Sequence, residues 1–340
     1  MSEADHRYAR QIRFAPLGEA GQRLLRQSRV LLCGCGALGT AIAERLARSG
    51  VGALRIVDRD WVEWSNLQRQ CLFTERDAAE SIPKAVAAAA ALQAINSEVD
   101  VDPRVEDISY RNLPALAEGC DLILDGTDNF ETRFLLNDYA VSQDIAWVHG
   151  GCLGAAGQVL GIIPGKTACF RCLIPDPPPA GSVETCDTAG VLAPAVGVVA
   201  NWQAALALKI LSGHGSELDS QLVIIDTWNV ESRKLALPRN PNCPCCGQRR
   251  FPFLNGTLSS DTNVLCGKNA VQIHLATPVA RSTTWSARLR EAGEVVENRF
   301  FTRLKTPSHT LTIFPDGRVV VEGTTVPATA RSVVAQVLGM

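Results

Sequence analysis

Three sets of residues in this sequence have chemistry to offer: a glycine-rich turn, a run of acids and cations after it, and two close pairs of cysteines. Gly34, Gly36 and Gly39 sit in GCGALG between an apolar run and a helical pattern, the context in which this spacing lays a phosphate on a helix N-terminus. Asp58 ends the next strand pattern nineteen residues after Gly39, where a carboxylate accepts from ribose hydroxyls. A nicotinamide dehydrogenase has the same two features, so they point to a nucleotide without naming it.

DRDWVEWSNLQRQ, from Asp58 to Gln70, narrows the choice. A dehydrogenase has little use for cationic and amide side chains directly after the ribose strand, whereas a triphosphate needs cationic donors and a metal for its outer phosphates. Asp60, Asn66 and Arg69 lie within this stretch. Lys84 opens the next helical pattern, and Asp128 in DGTDN stands at a strand end, where carboxylates commonly hold Mg²⁺. Taken singly, Lys84 reads equally as a solvated helix residue and Asp128 as an N-cap. With Arg69 they compose a triphosphate site.

Cys169 and Cys172 in CFRC, with Cys243 and Cys246 in CPCC, repeat the two-residue gap of a tetrahedral structural Zn²⁺ site. About seventy residues separate the pairs, so the metal would staple a crossover loop to the chain after the last strand. Cys245 intervenes in poor register with Cys243. Cys186, in ETCDTAGVLAP, lies in a loop suited to a reactive thiol, though an inert loop cysteine fits the same position. Cys33, Cys35, Cys71, Cys120 and Cys152 have apolar or small neighbours and read as small core residues. Cys266 reads as a bystander more readily than as a sulfur-handling thiol. The five histidines show no metal-ligand spacing, and His149, at a strand end, reads as structural rather than catalytic.

The elements that must position these residues alternate. RVLLC, a helix with Leu38, Ile42, Ala43 and Leu46 on one face, and a strand ending at Asp58 make a βαβ unit. IPKAVAAAAALQAIN predicts a helix with Pro83 near its start. Strand ends at VDVDP and DLILDGTDN, a helix over FETRFLLNDYAVSQ, and strands at AWVHGG and GQVLGIIP continue the alternation. The fold expected is α/β, a Rossmann-like doubly wound, mostly parallel sheet. Gly165 to Gly190, rich in proline, reads as loop without regular structure. APAVGVVANWQAALALKILSG predicts a long buried helix and QLVIIDTW a further strand. Beyond it, HTLTIFPDGRVVVEGT predicts a hairpin turning at Pro-Asp-Gly, and PATARSVVAQVLG a short amphipathic helix. The domains expected are 1–254 and a small α+β module at 255–340.

A hydrophobic content of 46% in 340 residues is enough to bury a core. The net charge of −2, from acids and bases spread along the chain, argues against nucleic acid as partner. No run of about 18 uninterrupted apolar residues occurs and the N-terminus is charged, so no membrane partner and a cytoplasmic location are expected. Twelve cysteines without a disulfide-like spread fit metal or thiol chemistry.

RYARQ, GCGALG, DRDWVEWSNLQRQ, PKA, DGTDNFETR and the cysteine pairs together resemble the E1-like adenylyltransferases that activate sulfur-carrier proteins, the ThiF type of the thiamine-thiazole branch and the MoeB type of the molybdopterin branch. Six motifs over about residues 7–250 occur in the family's order. The resemblance implies ATP-dependent adenylation of the C-terminal glycine carboxylate of a small ubiquitin-like sulfur carrier ending in Gly-Gly. It implies that Asp58 holds the ribose, that Asn66, Arg69 and Lys84 hold the phosphates, and that Asp128 binds Mg²⁺. Gly34, Gly36, Ala37, Gly39, Asp60, Ser65, Leu67, Gln68 and Asn129 would complete the nucleotide pocket. Arg10 would reach the ATP of the other subunit of a homodimer, and Cys186 would take up the activated carrier as a thioester or acyl-disulfide.

Two positions depart from the family pattern. Ala37 replaces a frequent glycine, and Ser81 stands where a glycine often precedes the lysine, which predicts a different backbone there. The 255–340 module lacks the cysteine loop of a persulfide-forming rhodanese site and resembles an extension found in a subset of the family. PPPAGSVETCDTAG resembles the thiazole branch more than the molybdopterin branch. Two other readings stand beside adenylation: a nicotinamide dehydrogenase, which leaves Arg69, Lys84, Asp128 and the cysteine pairs without a role, and a silent docking platform with a vestigial site.

Overall fold

The computed structural model describes residues 6–179, 189–258, 262–265, 269–275, 283–298 and 300–338. Cys186 and Cys266 lie outside the described residues. The chain divides into two compact units, Met1–Ser259 and Ser260–Met340, a break a few residues beyond the expected one after residue 254.

The first unit is built on an eight-stranded sheet: β1 (Arg29–Cys33), β2 (Ala53–Val57), β3 (Asp100–Arg104), β4 (Leu122–Asp125), β5 (Ala146–Leu153), β6 (Ala156–Ile162), β7 (Gln221–Asp226) and β8 (Glu231–Ala236). Their order is β3-β2-β1-β4-β5-β6-β7-β8. Pairing is parallel from β3 to β5 and antiparallel from β5 to β8. Parallel strands covered on both faces read as continuous apolar runs, and β1 shows it: Val30 and Leu32 enter the core on one face, Leu31 and Cys33 the core on the other.

The first core is closed by α1 (Gly18–Gln27), α2 (Ala37–Ser49), α3 (Lys84–Ile95) and α5 (Ala193–Lys209), the second by α4 (Phe130–Gln143). Leu38, Ile42, Ala43 and Leu46 are all buried, as the helical spacing of α2 predicts. Burying such side chains contributes about 2 kcal/mol each. Helix α2 stops at Gly50, whose φ of 77° and close approach to the Tyr8 ring both exclude a side chain.

The 165–190 segment is not all irregular: Phe170–Leu173 forms a single helical turn, because Cys169 and Cys172 both face the same cluster. Helix α5 and its continuation to Glu217 are apolar and long enough to cross a membrane by length and composition, with half of the most apolar stretch buried inside the protein. Ala195, Val196, Val199, Ala200, Gln203, Ala204 and Ala207 of α5 are buried, as expected of a core helix. The cysteines expected in the core divide: Cys33 and Cys35 are buried, Cys120 and Cys152 half-buried, and Cys71 is exposed, since it follows the polar NLQRQ turn rather than a strand.

The second unit holds a six-stranded antiparallel sheet, β9 (Thr262–Leu265), β10 (Ala270–His274), β11 (Glu294–Glu297), β12 (Thr302–Lys305), β13 (Thr310–Ile313) and β14 (Arg318–Glu322), with α6 (Thr283–Ala292) and α7 (Pro327–Leu338). The strand order is β11-β12-β13-β14-β10-β9. The β13–β14 hairpin turns where Pro-Asp-Gly predicts it. Its core joins Val271, Leu304, Leu311, Val319 and Val321 to Leu289, Ala330 and Val334.

Candidate nucleotide site and cysteine cluster

Strand order reverses direction between β1 and β4, and open α/β sheets form their ligand crevice outside the carboxyl ends of the strands at such a point. The turn after β1 and the turn after β4 meet there. A Cβ on Gly39 would lie 2.1 Å from Gly34 O, and one on Gly126 2.5 Å from the same atom. The space around Gly36, the residue before α2, is open, with no atom within 4 Å of where its Cβ would point. Glycines are therefore needed at 39 and 126 by the protein's own backbone, whereas the room at Gly36 lies on the side from which a phosphate would approach the helix N-terminus.

Asp58 continues β2 and pins this turn: its Oδ2 accepts from Cys35 N at 2.6 Å and its Oδ1 from Asp60 N at 2.7 Å. Burial raises its pKa, against the opposing pull of Lys84. Two backbone bonds zip the neighbouring segments together, Lys84 N to Asp60 O at 2.9 Å and Val62 N to Ile82 O at 2.8 Å. They seat the first residue of α3 beside the carboxyl edge of β2. Lys84, 7% exposed, places Nζ 3.2 Å from Asp60 Oδ2. Burial opposes its charge, but Asp60, Asp58 and Asp128 outweigh burial and raise its pKa above the ordinary lysine value.

Arg59 was missed by sequence reasoning. Its Nη1 bridges both oxygens of Asp107, at 3.1 and 3.2 Å, and its charge is supported by Asp107, Asp60, Asp128 and Asp58. The signal available was its place between two site aspartates, which a motif reading treats as a variable position. Asp128 is exposed on the turn after β4. It is not the N-cap of α4: Asn129 Oδ1 accepts from Thr132 N at 2.8 Å and fills that role. Asn129, expected to face the nucleotide, is thereby occupied in capping.

Ser65, Asn66, Leu67 and Gln68 lie on a 3-10 turn and its exit. Asn66 is buried and its Oδ1 accepts from Glu63 N at 3.0 Å, which rigidifies the turn. Arg69 lays its guanidinium on its own segment, donating to Ser65 O at 2.8 Å. The structure thus groups Asp58, Asp60, Lys84, Asp128 and Arg59, with Arg69 on an adjoining turn. Ser81, expected to change the backbone, sits at φ 48°, the left-handed region that favours glycine.

Arg10 stands elsewhere, exposed on the turn Ala9–Ile12. Its neighbours are anchored at the far end of α2: Asn96 Nδ2 donates to Tyr8 Oη at 2.8 Å and to Ala47 O at 2.7 Å, and Gln11 Nε2 donates to Ser49 O at 2.9 Å. A 13-residue helix is about 20 Å long, so Arg10 starts from the end opposite the glycine-rich turn.

Behind the turn after β4 lies a buried polar network that the sequence did not reveal. Asp125 Oδ1 accepts from Thr127 N at 2.9 Å and Thr127 Oγ1 at 2.7 Å, and its Oδ2 from Arg133 Nε at 3.2 Å. His149 Nδ1 lies 2.7 Å from the same Oδ2. Burial pushes the Asp125 carboxyl up, but Arg133, His149 and Thr127 more than offset it and hold it below the ordinary range. Burial lowers the His149 pKa despite the opposing pull of Asp125, which favours the uncharged imidazole.

The four cysteines Cys169, Cys172, Cys243 and Cys246 bring their sulfurs within 4.8 Å of one another. Three of the distances are 3.9 Å for Cys169–Cys172, 3.6 Å for Cys169–Cys243 and 3.5 Å for Cys172–Cys246. A tetrahedron with metal–sulfur bonds of about 2.3 Å has edges of about 3.8 Å, close to these three distances, so the cluster could hold Zn²⁺. Cys245, buried, accepts instead from Asn137 Nδ2 at 3.2 Å. That bond turns its sulfur toward α4.

The ThiF family model matches residues 8–245. The chain is 42% identical over 337 residues to the sulfur carrier protein ThiS adenylyltransferase of Bacillus subtilis (strain 168), covering 98% of this chain and 99% of that protein. It is 39% identical to the SAMP-activating enzyme E1 of Haloferax volcanii, over 71% of this chain and 88% of that one. With the adenylyltransferase and sulfurtransferase MOCS3 of Sus scrofa it shares 37% identity, over 78% of this chain and 57% of that one. Among solved structures, E. coli MccB superposes with a TM-score of 0.64 at 24% identity, covering 73% of this chain and 74% of that one.

Proposed function

The chain belongs to the ThiF family, and from that premise we propose that it adenylates the C-terminal glycine carboxylate of a small ubiquitin-like sulfur-carrier protein, with ATP as donor and pyrophosphate as leaving group. The observation that carries the reading is the buried Lys84 ammonium, held by Asp60 at the lip of a glycine-rich turn with open space at Gly36.

The residue types suit the chemistry. A carboxylate nucleophile is already ionised at neutral pH, so no general base is needed. Negative charge builds on the phosphoryl oxygens as the carboxylate attacks the α-phosphorus, and preorganised cations stabilise it. Lys84 and Arg69 would supply that charge from the protein, with Asn66 as a further donor and Asp58 toward the ribose. Ala37 and Gly39 at the start of α2, with Ser65, Leu67 and Gln68 on the neighbouring turn, would complete the pocket. Mg²⁺ held by Asp128 would neutralise the outer phosphates.

Arg10 supports a homodimer as the working unit. Its segment is fixed to the far end of α2, away from its own glycine-rich turn, which is compatible with the role the family resemblance implies for it at the site of another copy. Zn²⁺ at Cys169, Cys172, Cys243 and Cys246 would be structural, with four protein ligands and no open position. Cys186 is kept as the thiol that would accept the activated carrier.

The thiazole branch is favoured over the molybdopterin branch. Similarity to the ThiS adenylyltransferase runs through both units of the chain, whereas similarity to MOCS3 spans about half of that longer protein. The dehydrogenase reading leaves the buried lysine and its three carboxylates unexplained. A cytoplasmic location follows from the ATP supply the reaction needs. Pyrophosphate exchange dependent on a Gly-Gly-ended carrier tests the reading.

A further inference from the structure

His149 is fully buried, and the adenylation chemistry gives it nothing to do. Its surroundings nonetheless fix it tightly. Asp125 is a carboxylate and can only accept, so His149 carries its proton on Nδ1 and donates to Asp125 Oδ2 across 2.7 Å. Its Nε2 is then free to accept from Gln158 Nε2 at 3.3 Å. Phe170 and Trp147 pack against the ring at a tilt, with centroids at 4.8 and 5.8 Å.

Asp125 in turn carries the turn after β4. Oδ1 binds the amide and hydroxyl of Thr127, and Arg133 reaches around to Thr127 O at 2.6 Å. Asp128 is the next residue. The carboxylate's orientation is set at Oδ2 by two donors, Arg133 and His149, and the His149 contact is the shorter. Removing it leaves Oδ2 on Arg133 alone, so the carboxylate is held less firmly and Thr127 on the other oxygen with it.

We propose that His149 is a positioning residue for the metal-binding turn: by donating to Asp125 it fixes Thr127 and, through it, the direction in which Asp128 meets the Mg²⁺ of bound MgATP. The inference rests on Asp128 as the Mg²⁺ ligand and deepens that reading by naming what aims it.

The test is calorimetric binding of ATP to the full-length protein over a series of Mg²⁺ concentrations, with His149→Asn and His149→Gln. Asparagine places an amide N–H near the position of Nδ1, whereas glutamine places it near Nε2, so the two separate the Asp125 bond from polarity and burial. Melting temperature and metal content at the cysteines report on folding. The proposal expects His149→Gln to raise the Mg²⁺ needed for half-maximal affinity about tenfold, equivalent to about 1.4 kcal/mol, and His149→Asn to stay within about twofold of the parent protein. An unchanged Mg²⁺ requirement in a folded His149→Gln protein overturns the proposal, and so does equal impairment of both variants, which would make the role one of packing. A parent protein that binds ATP with no Mg²⁺ dependence, or does not bind ATP, removes the nucleotide-site reading itself and the inference with it.

Discussion

Lys84 Nζ lies 3.2 Å from Asp60 Oδ2, although the two residues are separated by a 3-10 turn and a short helix. Isolated ammonium groups are not buried, and this one survives because Asp58, Asp60 and Asp128 surround it. On the proposed reading, an arriving triphosphate would exchange one set of oxygens for another around this cation.

Lys84→Ala should therefore act twice. Exchange activity should fall below detection, and the protein should lose up to about 3 kcal/mol of stability, because the buried Asp58 and the half-buried Asp60 lose their counter-ion. Arg69→Ala should abolish exchange with stability within about 0.5 kcal/mol of the parent, since its side chain is not buried, and Asp128→Ala should abolish exchange at a smaller loss of stability than Lys84→Ala, since this exposed carboxylate is one of three that support the ammonium. Denaturant unfolding beside an exchange assay separates the two classes.

For the cysteine cluster, elemental analysis should give close to one zinc per chain, falling to near zero in Cys172→Ser. Chelation should lower the melting temperature, because the metal would join the helical turn Phe170–Leu173 to the chain after β8. A ratio unchanged in Cys172→Ser would remove Cys172 from the ligand set.

Ser81 occupies the left-handed region at φ 48°, which costs a residue with a Cβ about 1 kcal/mol. Ser81→Gly should stabilise the protein by up to about 1 kcal/mol, less the entropy glycine adds to the unfolded chain. A loss of stability would show that the serine side chain contributes more than its backbone strain costs.

Much of the site was legible because its signals are local. The glycine spacing, the strand-ending Asp58 and the paired cysteines each report a short-range geometric need, the face read for α2 is buried, and α4 spans the stretch read for it. What escaped depends on the tertiary fold. Asp125 and Arg133 read as ordinary strand-end and helix residues until β5 brings His149 beside them. Arg59 acquires a partner only when the segment after β3 supplies Asp107. Cys71 looked apolar by its neighbours, but the 3-10 turn that precedes it turns that stretch outward. Asp128 was the cap candidate in sequence, and only the backbone at the start of α4 assigns the cap to Asn129.

The neutral, buried His149 also predicts a pH effect. Its pKa is lowered in the folded protein, so below about 6.5 the unfolded chain takes up a proton that the folded one refuses, and stability falls as pH drops through that point. His149→Asn, lacking the titrating group, should show a shallower loss between pH 7 and 5. The difference in slope cannot exceed about 1.4 kcal/mol per pH unit for one proton, and identical slopes would show that His149 titrates alike in both states.

The most direct test of the central claim is ATP–pyrophosphate exchange with purified protein and two sulfur carriers ending in Gly-Gly, one from thiamine and one from molybdopterin biosynthesis. The account predicts label passing from pyrophosphate into ATP with the thiamine carrier, abolished when its terminal glycine is removed. No exchange with either carrier, from protein that is folded and binds ATP, would contradict adenylation as its function.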